Sequence, residues 1–171
     1  TDLERIQIPA SVTMIDEAAF SKASSLVEVT FEEGSQLTSI GVAAFQNTVQ
    51  LISITLPASL ISIGTNAFAN TQSLTSITVD SPNPNYNSID GVLFNNTGTT
   101  LILYPAGNTR TTYTIPSTVT NISSAFIGAK NLTSVTFEAG SQLTSIGNAA
   151  FHKASALTSI TIPASITTIE D

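Results

Sequence analysis

The sequence predicts a repeat solenoid. It reads as a right-handed coil with a parallel sheet of short strands, mostly β and irregular, with short helical or 3₁₀ turns. A block of about 23 residues recurs along the chain: Leu-x-x-Ile-x-Ile-Pro-x-x-Val-x-x-Ile, a polar step, then Ala-Phe. Units begin at Leu3, Leu26, Leu51, Leu74, Arg110, Leu132 and Leu157, at spacings of 23, 25, 23, 36, 22 and 25. A period in this range marks an array in which each unit buries its apolar edge against its neighbours. The apolar residues also keep one phase from unit to unit, so that like residues stack.

The unit 51–73 shows how each element is specified. Leu51, Ile54 and Leu56, among β-branched neighbours, read as a strand. Pro57 ends it, because proline offers no N–H to a ladder. Leu60 and Ile63 return to the core on the opposite side of the coil. Gly64 permits a bend, and Ala67-Phe68 follow in a stretch that reads as one helical or 3₁₀ turn. Stacking at about 4.8 Å predicts one ladder of Phe20, Phe45, Phe68, Phe126 and Phe151. It predicts another of Ile15, Ile40, Ile63, Ile122 and Ile146. Each buried Phe or Ile contributes roughly 1.5–3 kcal/mol by area. An aromatic ligand row is the competing reading of the Phe ladder. Core packing is favoured because every one of these Phe follows an Ala.

Two units depart from the pattern together. FEEGSQLTSIG at 31–41 and FEAGSQLTSIG at 137–147, offset by 106 residues, replace the Pro-containing turn with one two residues longer. Pro57 and Pro163 follow at the same offset, as expected of a duplicated two-unit block. Gly34 and Gly140 are expected to take the unusual dihedrals. The unit from Leu74 carries about 13 extra residues before Arg110. Its SPNPNYNSIDG stretch is turn-rich. GVLF and TLILYP then flank NNTGTT, which predicts a β-hairpin insertion within 80–109, with strands near 91–94 and 101–104. Tyr113 resumes the strand position held elsewhere by Ile or Val.

The whole chain, 1–171, thus reads as a single solenoid of about seven units sharing one continuous core. It begins inside one repeat and stops inside another, as an uncapped fragment of a longer array would. Both ends would then expose a strand edge or an apolar end face, which predicts end-to-end self-association or further units. The chain carries five Lys plus Arg against twelve Asp plus Glu, for a net charge of −7. Nucleic acid binding needs clustered cations, as does docking on anionic membranes; the cations here are scattered. No apolar run approaches the roughly 18 residues of a membrane span, so no membrane insertion is expected. With no Cys there is no disulfide framework or thiolate metal site.

Written out, the repeats LTSITIPASITTI at 157–169 and LISITLPASLISIGTNAF at 51–68, with the Ala-Phe of each complete unit, resemble the BspA-like leucine-rich repeats. These are also called the Treponema pallidum type. SIDGVLFNNTGTTLILYP at 88–105 resembles an insertion common in that family. One departure is visible: a Cys often stands three residues after the Phe, where this chain has Ala23, Thr48, Thr71, Ala129 and Ala154. The resemblance implies a leucine-rich-repeat coil in a cell-surface or secreted protein, used for adhesion or protein–protein recognition.

Nothing in the sequence points to catalysis, and no cofactor is expected. His152, the only His, follows Phe151 where other units carry Ser21, Gln46, Ala69 and Ile127, a tolerant surface slot. A Ser-His-Asp triad would depend on that single His. Asp80, Asn83, Asn85, Asn87 and Asp90 lack the spacing of a calcium loop and suit turns. Glu32-Glu33 lies in a turn, and no opposed carboxylate pair suggests a glycosidase. Asn95, Asn121 and Asn131 begin Asn-x-Ser/Thr triplets.

Two regions are candidates for binding. Between core positions the strands of five consecutive units face out with Ser/Thr-x-Thr: Ser53 and Thr55, Ser76 and Thr78, Thr112 and Thr114, Ser134 and Thr136, Ser159 and Thr161. The first two units have Arg5 and Gln7, Glu28 and Thr30 there. β-propensity and solubility explain such a strip. That reading is favoured over the functional one, a shallow hydroxyl-lined groove for a protein, an extracellular-matrix ligand or a glycan. Against the groove stands the lack of aromatic and Arg anchors. An ice-binding row needs a flatter face than a leucine-rich coil provides. The second region is the hairpin, which gathers Tyr86, Phe94 and Tyr104 as a contact or as a cover for a widened coil. The expected function is a non-enzymatic binding module. The alternative is a structural spacer that holds another domain away from the cell surface.

Overall fold

The computed structural model describes residues 2–170. Each coil contributes two strands to two parallel ladders. The first ladder holds β1 (Arg5–Ile8), β3 (Glu28–Phe31), β5 (Ser53–Leu56) and β7 (Ser76–Val79). It resumes with β11 (Thr112–Ile115), β13 (Ser134–Phe137) and β15 (Ser159–Ile160). The second holds β2 (Met14–Ile15), β4 (Ser39–Ile40) and β6 (Ser62–Ile63), then β12 (Asn121–Ile122), β14 (Ser145–Ile146) and β16 (Thr168–Ile169). The insertion supplies β8 (Tyr86–Ile89), β9 (Val92–Asn95) and β10 (Thr100–Leu103). At three of the prolines the long strand stops at the residue before: Ile8, Leu56 and Ile115 precede Pro9, Pro57 and Pro116, whereas β15 ends at Ile160, ahead of Pro163. Registers within the two parallel ladders are unshifted, with Ser53 on Ser76 and Thr112 on Ser134. The repeat phase read from the sequence is therefore the spatial phase.

The Ala-Phe segments are not helical. Each is a rim loop whose N–H groups alternate between two destinations. In the loop around Phe45, the N–H groups of Ala44, Gln46 and Thr48 turn back to Gly41, Ala43 and Phe45. Those of Ala43, Phe45 and Asn47 reach the next coil, at the carbonyls of Thr65, Ala67 and Ala69 (3.1, 2.7 and 2.9 Å). The loops around Phe20 and Phe126 do the same. The first and last outward donors have positive φ, as at Ala43 (54°) and Asn47 (61°), a conformation that ends any helix. An expected helical or 3₁₀ turn thus gives way to a structure in which half the amides serve the neighbouring coil.

The Phe side chains stack behind these loops. Phe20–Phe45 and Phe45–Phe68 lie 5.2 and 5.3 Å apart, nearly parallel. The ladder then breaks. Phe126 stacks on Tyr104 of the insertion at 5.2 Å and on Phe151 at 5.1 Å. The Ile ladder behaves likewise: Ile122 pairs with Leu101 of β10 rather than with Ile63. Thr48 and Thr71, three residues after Phe45 and Phe68, are buried. Each spends its hydroxyl on the Phe carbonyl three residues before (2.6 and 2.7 Å). A buried polar side chain is tolerable once so bonded.

The insertion is a three-stranded antiparallel meander, one strand more than the hairpin expected. β8 pairs with β9, and β9 with β10. β9 is buried on both faces, so Val-Leu-Phe reads as a continuous apolar run. Leu93 joins the core of the first coils; Val92 and Phe94 join the core of the last ones. The interior is accordingly two clusters divided by β9, not one continuous core. Two buried Asn hold the insertion's ends. Asn83 donates to the carbonyls of Pro57 and Leu60 and accepts from the N–H groups of Asn85 and Tyr86. Asn108 donates to the Thr75 carbonyl and accepts from the Arg110 N–H.

The tip of the β8–β9 hairpin, Asp90-Gly91, wedges against β7, where Ile77 donates its N–H to the Gly91 carbonyl at 2.9 Å, and Asp90 lies 3.9 Å from Arg110 just ahead of β11. Gly91 has φ +80°, and a Cβ there would stand 2.9 Å from the Ser76 Cβ. Gly34 shares the positive φ (+75°) but opens on empty space. Positive φ alone costs an Ala about 1–2 kcal/mol. Gly91→Ala should therefore lower the urea midpoint clearly more than Gly34→Ala. Equal losses would show that the tip is not wedged in the array.

Candidate functional site

The first ladder places the Ser/Thr strip in two files. Ser53, Thr55 and Thr78 are exposed on β5 and β7, with Ser76 half-buried between them. Thr112, Thr114 and Thr136 are exposed on β11 and β13, with Ser134 half-buried. Ser159 and Thr161 are exposed at the last coil, Thr161 just beyond β15. The wedge at Asp90-Gly91 separates the two files. Cross-strand hydroxyls pair: Thr55 with Thr78 at 2.8 Å and Thr114 with Thr136 at 2.9 Å. A hydroxyl carries one donor and two lone pairs. Each pair therefore keeps one free donor and spare acceptor capacity for a ligand.

The strip is bordered by charge at one end. Arg5 and Glu28 form an exposed ion pair at 2.6 Å, worth at most about 1 kcal/mol. A shallow depression of about 280 Å³ beside them is lined in part by Glu28, Thr30, Ser53, Thr55 and Asp80. At the strands' far ends the longer turns donate carboxylates across the coil. Glu32 Oε2 accepts the Ala10 N–H at 2.9 Å, and its counterpart Glu138 accepts the Ser117 N–H at 2.8 Å. Gly34 and Gly140 take φ of 75° and 79°, as expected for these turns.

The hairpin candidates lie elsewhere than a binding surface requires. Phe94 and Tyr104 are 0% and 1% exposed, so they are core and not contact residues. Tyr86 is half-buried on β8 and packs against the first core cluster, although its polar surroundings in sequence suggested an exposed loop. The physical reason is common to all three: the interruption removes one coil's apolar edge, and these aromatics replace it. Tyr104 takes the Phe position and meets Tyr113 edge-on at 5.1 Å. Burial pushes its phenol up to about 12, partly offset by the Arg110 charge. Burial also raises Tyr86 and Tyr113. Asn83 and Asn85, weighed as calcium ligands, direct their side-chain amides to the Leu60 carbonyl. Among the described residues no group of three His, Asp or Glu converges as a metal site would. Sequence reasoning missed Asn83 and Asn108, whose partners lie 23 to 33 residues away across the coil.

Two strands per coil, an aromatic stack and an outward hydroxyl strip define a leucine-rich-repeat solenoid. The model of the BspA-type leucine-rich repeat region matches residues 1–113 and 106–171, in six copies. The chain belongs to that family. The solved structure of the pneumococcal vaccine antigen PcpA is similar at 35% identity and a TM-score of 0.90, over 96% of this chain and 40% of that one. A leucine-rich repeat protein from Eubacterium ventriosum is similar at 30% identity and a TM-score of 0.80, over 97% of this chain and 49% of that one. The chain thus spans less than half of either structure. Among curated proteins no match is found. The fold is one typical of protein binding and of surface antigens.

Two predictions follow from these contacts. The Tyr104 hydroxyl is buried without a hydrogen-bond partner among the described residues, an arrangement that costs about 1–3 kcal/mol. Tyr104→Phe, which restores the residue of the other units, should raise stability by about 1 kcal/mol or more in urea unfolding; a loss would refute the orphaned hydroxyl. For Glu138, the Ser117 N–H and then the Ser117 hydroxyl hold its carboxyl below the usual glutamate value. A depressed carboxylate stabilises the fold above its unfolded pKa and ceases to as pH falls through the folded one. Carboxyl ¹³C shifts should titrate with a midpoint below about 4.3, rising part of the way in Ser117→Ala, which keeps the N–H. An ordinary midpoint would count against the contact.

Proposed function

We propose that this chain is a non-enzymatic recognition module, displayed at a cell surface or secreted, that binds a protein or extracellular-matrix ligand through the Ser/Thr strip. The observation that carries the reading is the exposed, in-register hydroxyl files of β5, β7, β11 and β13, each cross-strand pair with hydrogen-bonding capacity to spare. Neutral hydroxyls cost little to desolvate compared with charges. They suit the backbone and polar side chains of a protein, or the hydroxyls of a glycan. Likeness to a pneumococcal vaccine antigen supports an extracellular setting.

The test is a binding screen of the chain against matrix proteins and glycans, repeated with Thr55→Arg and Thr136→Arg. Both sites are exposed and outside the core, so the fold should survive. Either change should weaken a genuine hit about tenfold or more, about 1.4 kcal/mol. Asn96→Arg, in the exposed loop of the insertion, should leave it unchanged. Hits indifferent to both strip variants would overturn the proposal.

A further inference from the structure

The rim is interrupted once. Four residues, Gly64 to Ala67, connect Ile63 to Phe68 in the third coil, whereas only Ile102 and Leu103 connect Leu101 to Tyr104 in the interrupted one. The interrupted coil thus keeps its ladder residue and its aromatic but lacks the rim loop between them. What remains is a notch of about 300 Å³. One wall is the rim loop 64–69; the other carries Ser123, Ser124 and Ile127. Leu93, Ile102, Leu103 and Ala106 supply an apolar floor.

The walls differ in hydrogen-bonding character. In the preceding coil the outward N–H groups of Ala43, Phe45 and Asn47 all reach carbonyls of the next loop. Their counterparts are Asn66 and Phe68 on the notch wall and Asn70 just beyond it, and the N–H groups of all three have no acceptor among the described residues. On the opposite wall the middle carbonyl, Ala125, accepts the Tyr104 N–H at 2.8 Å. The carbonyls of Ser123 and Ile127, which correspond to Thr65 and Ala69, accept no backbone N–H. One wall therefore offers donors and the other acceptors. Backbone groups left this way favour a partner that supplies both.

A peptide backbone carries carbonyls along one edge and N–H groups along the other. No Lys or Arg lines the notch to favour an anion, and no carboxylate lines it to favour a cation. We propose that the notch is a docking slot for a peptide segment of a partner protein. The segment is uncharged, with small and apolar side chains for the floor, and it enters as the missing rim loop. The mode is a rim counterpart of strand addition at a sheet edge, with main-chain bonds giving affinity and the floor giving specificity. It is independent of the strand face, since none of the strip residues lines it.

The full chain, labelled with ¹⁵N, would be titrated with an acetylated and amidated peptide copying residues 63–70, IGTNAFAN. By about 5 mM, in the weak millimolar regime, the amides of Asn66, Phe68 and Asn70 should shift and exchange more slowly. Thr65→Trp and Ile127→Trp fill the mouth from either wall, and each should weaken the response about tenfold or more. Both positions tolerate variety in other coils, with Val42 and Asn148 at one and Gln46 and His152 at the other. If one variant loses the wild-type spectrum elsewhere, the second decides. The proposal is overturned by three results: no change at those amides, a response that persists in the folded variants, or protection that grows with protein concentration alone. The last would assign the slot to a second copy of the chain.

Discussion

Every coil of this protein is completed by the coil beside it. A strand amide that points along the array has no partner within its own unit, and neither do alternate amides of the rim loop. Buried backbone groups need partners, so the array depends on an unbroken succession of donors from one coil meeting acceptors of the next. The Phe and Ile ladders lie behind these bonds and share the same spacing. Dry stacking and intercoil hydrogen bonding are therefore one constraint viewed from two sides. Where it is relaxed, burial fades: Leu132 and Val135 in the interior are 1% exposed, while Leu157 and Ile160 in the last coil are only half-buried.

The insertion is the one place where succession fails, and the protein repairs most of the damage. β9 presents opposite faces to the two core clusters, so each gains an apolar wall. Tyr104 and Leu101 stand in for the missing Phe and Ile. Asn83 and Asn108 bond the Leu60 and Thr75 carbonyls beside the departing and returning chain. Gly91 brings the hairpin tip close enough to cap β7. The repair stops at the rim, where a loop two residues shorter leaves donors and acceptors facing an open notch. The division of the hydroxyl strip into two files has the same origin as the notch.

Much of this was legible from residue spacing. The strands, their proline stops, the long turns with Gly34 and Gly140, and the outward Ser/Thr files all follow from a period that repeats in register. The insertion was legible as strands near 91–94 and 101–104, but β8 was not, because YNSI among Asn, Pro and Ser carries stronger turn than strand preference. Its pairing with VLFN decided the matter. Phe94 and Tyr104 looked available for contact because spacing alone does not say whether an inserted hairpin projects from the coil or lies against it; their neighbours in space are Phe126, Tyr113 and the β12 coil. The Ala-Phe segments looked helical because local preference ignores the next coil, which claims half of their amides.

The sequence by itself determined the architecture, because each unit repeats the same apolar phase and the same breakers, and identical units can only stack in register. The tertiary structure alone decided which way the exceptional residues face. Asn83, Asn108 and Tyr104 each depend on a group 20 or more residues distant, and such partners exist only once the coils are stacked.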